Sequence, residues 1–419
     1  MRSRPLLAML ATALLAVGAL AAPALGATRY VDSGRAFQQA VSDFRKSGGR
    51  IVLLPGDYLR PLVVGPRSAR RLDIVGAPGA RVQTLQIVRS RAVTVRGLII
   101  RPLTGNAQLL AVRSHGLVFR GDTFTAKRTN YKVGLRLDFS RGVVVRNSRF
   151  SHCGDHTPKW STCLLPHWAS HFRVTHSWFH DCRGCDFIGG RAGPALVIRK
   201  NRFDRALACH TGWVKCHHQD LIELFNADGV LITQNVFGVS EGGGAQLNLA
   251  TADDDVRVVD NLFLRDDPRT PGVVPRVAIL LGTRSSPRIP RGVEVVNNTI
   301  LSGAPKGNHA ESSLVLSPGY WRVLRRNRPL IANNVIAWLM APTLVCGRDR
   351  DSLNNVVVAG TACGLTDVVG DPLLDATGMP TVGSTLLIDL ADPALAPPFD
   401  IDGAARIGPP DIGAYEFSS

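Results

Sequence analysis

The sequence predicts an all-β solenoid in which one chain winds into a parallel β-helix. One strand pattern recurs along most of its 419 residues and ends at Phe124, Phe150, Phe179, Phe203, Phe237, Phe263, Ile300 and Ile336. These ends lie roughly 24 to 37 residues apart, the period of a stacked repeat. Two residues before each end stands a small polar side chain: Asp122, Ser148, Ser177, Asn201, Asn235, Asn261, Asn298 and Asn334. Stacked at one turn, such residues hydrogen-bond from coil to coil. Hairpin signals of the Asn-Gly type are scarce, which disfavours a sandwich.

The elements follow in order. Arg2 and Arg4 precede an apolar run, Leu6 to Leu20, and an Ala-Pro-Ala-Leu-Gly-Ala stretch ending at Ala27. Residues 1–27 read as a secretory signal peptide, so the mature chain is expected to be exported. The run is short for a membrane span and no later segment supplies one. Phe37, Ala40, Val41 and Phe44 then share one helix face, closed by Gly48-Gly49. Such a helix caps the open first coil, which otherwise presents apolar core and unpaired backbone groups. Ile51 to Leu54 forms a buried strand before the turn Pro55-Gly56-Asp57-Tyr58.

Later coils each add a strand ahead of the repeat, such as Leu135 to Asp138, Cys185 to Ile188, Leu221 to Leu224 and Gln246 to Leu249. The solenoid is one domain over residues 28–385, with a C-terminal capping segment over 386–419 that is rich in Pro, Ala and Asp. Arg406 is expected to tie its charged turns together.

Eight cysteines in an exported chain predict disulfides. Sequence neighbours pair as Cys153–Cys163, Cys209–Cys216 and Cys346–Cys363, leaving Cys182–Cys185 as a close pair open to exchange. Zinc held among Cys182, Cys185, Cys209 and Cys216 with His210 and His217 is the competing reading. The formal charge of +16, carried by 49 Lys and Arg, suits a polyanionic partner. Nucleic acid is not expected, because aromatic and basic residues do not interleave as a stacking platform.

The opening Phe37…Ala40…Gly49 to Tyr58, the repeated coils and the closing Asp411-Ile412-Gly413-Ala414-Tyr415-Glu416 resemble the pectate-lyase-like superfamily of secreted right-handed parallel β-helix proteins. Cys216 to Glu223 is similar to a His-x-Asp-x-Ile-Gln coil of bacterial members, with Glu223 in place of Gln. The resemblance implies a single-stranded right-handed helix. It leaves chemistry open, because lyases, hydrolases, epimerases, tailspikes and adhesins share that fold. The paired-Asp plus Gly-His-Gly set of polygalacturonases and the Asp-Pro-His-Asp motif of mannuronan epimerases are absent.

Residues 152 to 218 hold nine of the eleven histidines and four of the six tryptophans, which marks this side as the candidate site. Strand alternation turns Arg136, Asp138, Asp186, Glu223, Gln246 and Asn248 outward if their apolar neighbours point in. Asp220 must then lie in the turn before its strand, with His218 at the rim of this polar column. Trp160, Trp168 and Trp213 either stack on sugar rings or cover the coils beneath them.

These groups suit an acidic polysaccharide. For lytic or epimerising action, a calcium ion held by Asp186, Asp220 and Glu223, or the guanidinium of Arg136, would neutralise a uronate carboxylate. Lys215, His217 or His218 would take the proton. For hydrolysis, Asp220 would pair with Glu223 or Asp186. Arg136, Asp138, Asp186, Gln246 and Asn248 would contact substrate in either case. A non-catalytic carbohydrate-binding or cell-surface protein is the remaining alternative, and under every reading the chain is expected to be a monomer.

Overall fold

The computed structural model describes residues 27–66, 70–101, 107–125, 133–153, 161–207, 219–239, 244–251, 254–265, 277–282, 291–302, 313–316, 329–339 and 352–418. The leader expected over 1–27 therefore lies almost wholly outside them. The described strands make three long parallel sheets, and one coil visits each sheet once. Val144–Arg146 lies in the first sheet, Arg149–Ser151 in the second and Thr162–Leu165 in the third. The first and second sheets have 13 strands each and the third has 10. The chain is a right-handed parallel β-helix.

The turn from first to second sheet carries the expected ladder. The Asn201 amide N–H donates to Asn235 Oδ1 at 2.9 Å, Asn235 to Asn261 at 3.0 Å and Asn261 to Asn298 at 2.9 Å. Their side-chain nitrogens donate onward as well, Asn235 Nδ2 to Asn261 Oδ1 at 2.9 Å. Buried polar groups are stable only when paired in this way. The residue before each rung of the ladder turns left-handed, among them Gly121 (φ 66°), Asn147 (φ 51°), Lys200 (φ 54°) and Gln234 (φ 57°). Gly and Asn take that conformation at least cost; Lys200 and Gln234 are held there by the neighbouring coils.

Two residues past the ladder, the repeat's aromatic ends stack inside the helix. Ring centroids are 4.4 Å apart for Phe124–Phe150, 4.5 Å for Phe150–Phe179 and 4.5 Å for Phe237–Phe263. Each such ring contributes about 1.5–3 kcal/mol by leaving water.

Helix Gly34–Ser47 closes the first coil. Ser33 caps it by accepting from Ala36 N–H at 3.3 Å, and Phe37, Ala40 and Phe44 are buried against the opening strands. Past the last paired strand, Val368–Val369, the chain runs back along the stack in turns. Arg406, 3% exposed, anchors this segment by donating to Asp260 at 2.9 Å and Glu416 at 3.0 Å. Among the described residues no helix is long and apolar enough to cross a membrane.

Candidate functional site

The register of the third sheet defines which side chains share a column. Leu135, Leu164, Ile188, Ile222, Leu247 and Ile279 are successive partners and point into the core. One residue later, Arg136, Leu165, Gly189, Glu223, Asn248 and Leu280 form the outward column. Arg136, Glu223 and Asn248 thus stand where strand alternation places them.

Arg136 Nε donates to Asp138 Oδ1 at 2.8 Å, and the Nδ1 of His167 lies 2.9 Å from the same oxygen. His167 follows Leu165 as Asp138 follows Arg136, so the pair meets across one rung. Its ring makes an edge contact with Phe139 at 5.5 Å, and Phe139 (54%) and Trp168 (41%) are exposed beside it. Sequence reasoning counted His167 among the clustered imidazoles without giving it a role; the equal offsets from Arg136 and Leu165 were the available signal.

Three rungs on, the acidic residues gather. Asp220 precedes strand Ile222–Phe225, and its backbone N–H donates to Asp186 Oδ1 at 2.9 Å. Asp220 Oδ1 accepts from Ala245 N–H at 2.5 Å. Asn248 Nδ2 donates to Asp220 Oδ2 at 3.0 Å and to Glu223 Oε1 at 3.2 Å. Asp220, Glu223 and Asn248 are buried.

Two expectations need correction. Asp186 does not share the column of Glu223, because it pairs with Thr162 while Gly189 pairs with Glu223. Phe187 and Ile188 are both buried, which breaks the assumed alternation at the strand's start. Its carboxylate reaches the outer face only by folding over Gly189, where a Cβ would sit 3.0 Å from Asp186 Oδ2. Gln246 does not face solvent. Its amide nitrogen donates to Gly238 O at 2.6 Å and Leu264 O at 3.0 Å, and its oxygen accepts from Ser302. It braces the fold from within.

The expected calcium ligands are placed as follows. The only His, Cys, Asp or Glu ligand atoms lying within 4.8 Å of one another as a set of three, among the described residues, belong to Cys163, Cys182 and Cys185. Asp186, Asp220 and Glu223 do not converge so closely, and a positively polarised amide N–H stands between two of them. A hard cation needs oxygens gathered around a common centre, and among the described residues these three carboxylates alone do not supply one.

Lys215, His217 and His218 lie outside the described residues, as do Trp160, Trp213, Cys209, Cys216 and Cys346. Cys153 is bonded to Cys163 and Cys182 to Cys185, with Cα atoms 5.3 and 5.9 Å apart. Cys363 is also disulfide-bonded. The sulfurs of Cys163, Cys182 and Cys185 also lie within 4.8 Å of one another, while Cys209, Cys216, His210 and His217 of the zinc reading lie outside the described residues.

No family model and no curated protein matches the sequence. Similarity lies in structure. The alginate lyase from Paenibacillus sp. str. FPU-7 superposes with a TM-score of 0.51 at 12% identity, covering 69% of this chain and 97% of that one. With the three parallel sheets and the internal ladder, that likeness decides the architecture. The fold is a right-handed parallel β-helix, shared with that lyase. The Streptococcus pneumoniae surface adhesin PfbA (TM-score 0.47, 12% identity, 80% of this chain and 91% of that one) and the pectate lyase Pel9A (0.45, 13%, 94% and 97%) are more distant in shape. At these identities the likeness is one of fold, and function rests on this β-helix's own residues.

Proposed function

We propose that this protein is exported and acts on an acidic polysaccharide lying along the outer face of the third sheet, cleaving it by elimination at a uronate unit. The observation that carries this is the double hold of Asp138 on Arg136 and His167. With Nε engaged by Asp138, the Nη nitrogens of Arg136 remain to form a fork for the uronate carboxylate. Neutralising that carboxylate acidifies the neighbouring C–H. With Nδ1–H donated to Asp138, the lone pair of His167 sits on Nε2, on a ring that is part-exposed. That atom takes the proton, the ring C–O bond to the leaving sugar breaks, and a double bond forms in the uronate ring while solvent protonates the leaving oxygen. Phe139 and Trp168 offer apolar surface for sugar rings. Asp186, the part-exposed member of the acidic cluster, accepts from sugar hydroxyls further along. No cation enters the scheme.

Hydrolysis is the second reading, favoured by Asp220 and Glu223 sharing the amide of Asn248. Two carboxylates so close to one point can divide the acid and base roles. Incubating the protein with polygalacturonate, alginate and glycosaminoglycans separates the readings. Ultraviolet absorbance from unsaturated uronate ends means elimination, and reducing ends without it mean hydrolysis. Binding with neither product rejects both.

A further inference from the structure

A second cluster lies on a different face and belongs to none of this chemistry. On the outer side of the second sheet, Thr123, Arg149, Trp178, Arg202, Val236, Leu262, Thr299 and Val335 are successive partners in one column. From Val236 onward the column is apolar or small, and the C-terminal segment covers it through Ile401, Ala414, Tyr415 and Ile412. That cover ends beside Lys200, whose Nζ reaches Asp402 O at 3.4 Å. Immediately beyond, the column turns to Arg149, Trp178 and Arg202, all exposed.

These three side chains are held in place. Arg149 lies over the Trp178 ring, 4.6 Å from its centroid, and donates from Nε to His180 Nε2 at 2.6 Å. His180 is 2% exposed, stacks on Trp178 at 4.1 Å and is fixed through Nδ1 by Asp181 at 2.8 Å. Burial holds its imidazole below the ordinary value, which keeps a lone pair on Nε2 for Arg149. Asp181 is braced in turn by Arg205 at 2.6 Å. Trp178 Nε1 donates to Asp204 Oδ2 at 2.8 Å, and Arg202 Nε donates to both oxygens of Asp204 at 3.0 and 2.9 Å.

Both arginines are therefore anchored through Nε alone, and among the described residues no hydrogen bond to their Nη groups is found. Orienting a guanidinium by its inner nitrogen leaves the outer fork aimed at solvent with little entropy left to lose. Arg149 and Arg202 are two rungs apart, about 9.6 Å at the usual strand spacing, with Trp178 between them. A fork matched to a planar carboxylate, repeated across two sugar lengths around an aromatic, is the chemistry that recognises a run of uronate units.

We propose that Arg149, Trp178 and Arg202 form an ancillary binding site for a carboxylate-bearing stretch of an acidic glycan, on a face separate from the cleavage site. The choice of glycan rests on the function proposed above; the presence of an anion site does not. Such a site holds the polymer to the helix while another stretch of it is processed.

The test measures binding of a galacturonate oligosaccharide and of its fully methyl-esterified form by calorimetry, using the full mature chain in an His167→Ala background to stop turnover. Arg149→Gln with Arg202→Gln, and separately Trp178→Phe, keep side-chain bulk; unchanged melting temperatures verify folding. We expect the double variant to bind the free acid roughly ten-fold more weakly while the ester binds all variants alike. Equal binding of the free acid to parent and double variant overturns the proposal, as does an ester bound as tightly as the acid. If the chain cleaves no glycan yet the double variant still loses the free acid, the site stands and the cleavage reading alone falls.

Discussion

The Nδ1 of His167 lies 2.9 Å from the carboxylate of Asp138, one rung away in the third sheet and 29 residues earlier in the chain. That contact fixes which ring nitrogen is left to act on a substrate. Replacing His167 by Ala is expected to lower elimination activity by about 10² to 10⁴, the usual worth of a positioned base. Arg136→Lys keeps the charge and loses the fork, so KM should rise more than kcat falls. Steady-state kinetics on the cleaved polymer check both.

Asn248 is the joint of the acidic cluster. Substituting Leu removes the donor that the buried Asp220 and Glu223 carboxylates share. The loss should be about 2–4 kcal/mol of stability, read by denaturant unfolding. Asn248→Asp should cost more at neutral pH, because it places a third carboxylate in the same buried space.

Asp122 opens the ladder, accepting from Leu98 N–H at 2.9 Å, and its second oxygen is buried without a hydrogen bond. Burial pushes its carboxyl from 3.8 up to about 7. The folded chain therefore holds that proton more tightly than the unfolded chain does. Its contribution is full below about pH 4, declines as pH rises toward 7 and is level above. Asp122→Asn, the residue used at later rungs, should remove this decline and stabilise the protein at pH 7.5 by on the order of 1–4 kcal/mol. Melting temperatures of the two proteins at pH 4 and pH 7.5 test the sign.

Arg406 is buried between Asp260 and Glu416. Arg406→Met leaves those charges unpaired and should cost about 3–5 kcal/mol. The C-terminal segment should become the first site of limited proteolysis.

Because the carboxylates do not form a cation cage, a chelator should leave cleavage intact and added calcium should not raise it. A calcium-dependent rate would place ligands outside the described residues.

Much of the fold was legible in the chain. The ladder from Asp122 to Asn334 and the phenylalanines two residues later recur with the coil, and stacking forces identical positions into contact. The capping helix was equally plain from Phe37, Ala40 and Phe44. The site was less so. Asp186 misled because a carboxylate on the wrong parity can still fold over a glycine, and Gln246 because an outward-sounding position lay beneath loops and strands that satisfy its amide.

Periodicity and side-chain chemistry were thus enough to specify a coiled stack with a polar flank, since both depend on neighbours a fixed number of residues away. Which groups actually touch depended on the folded chain. Partners such as Asp138 with His167, Arg149 with His180 and Arg406 with Asp260 are set by register and by how loops and tail lie over the coils. Their separations follow no single period, so only packing brings them within hydrogen-bonding reach.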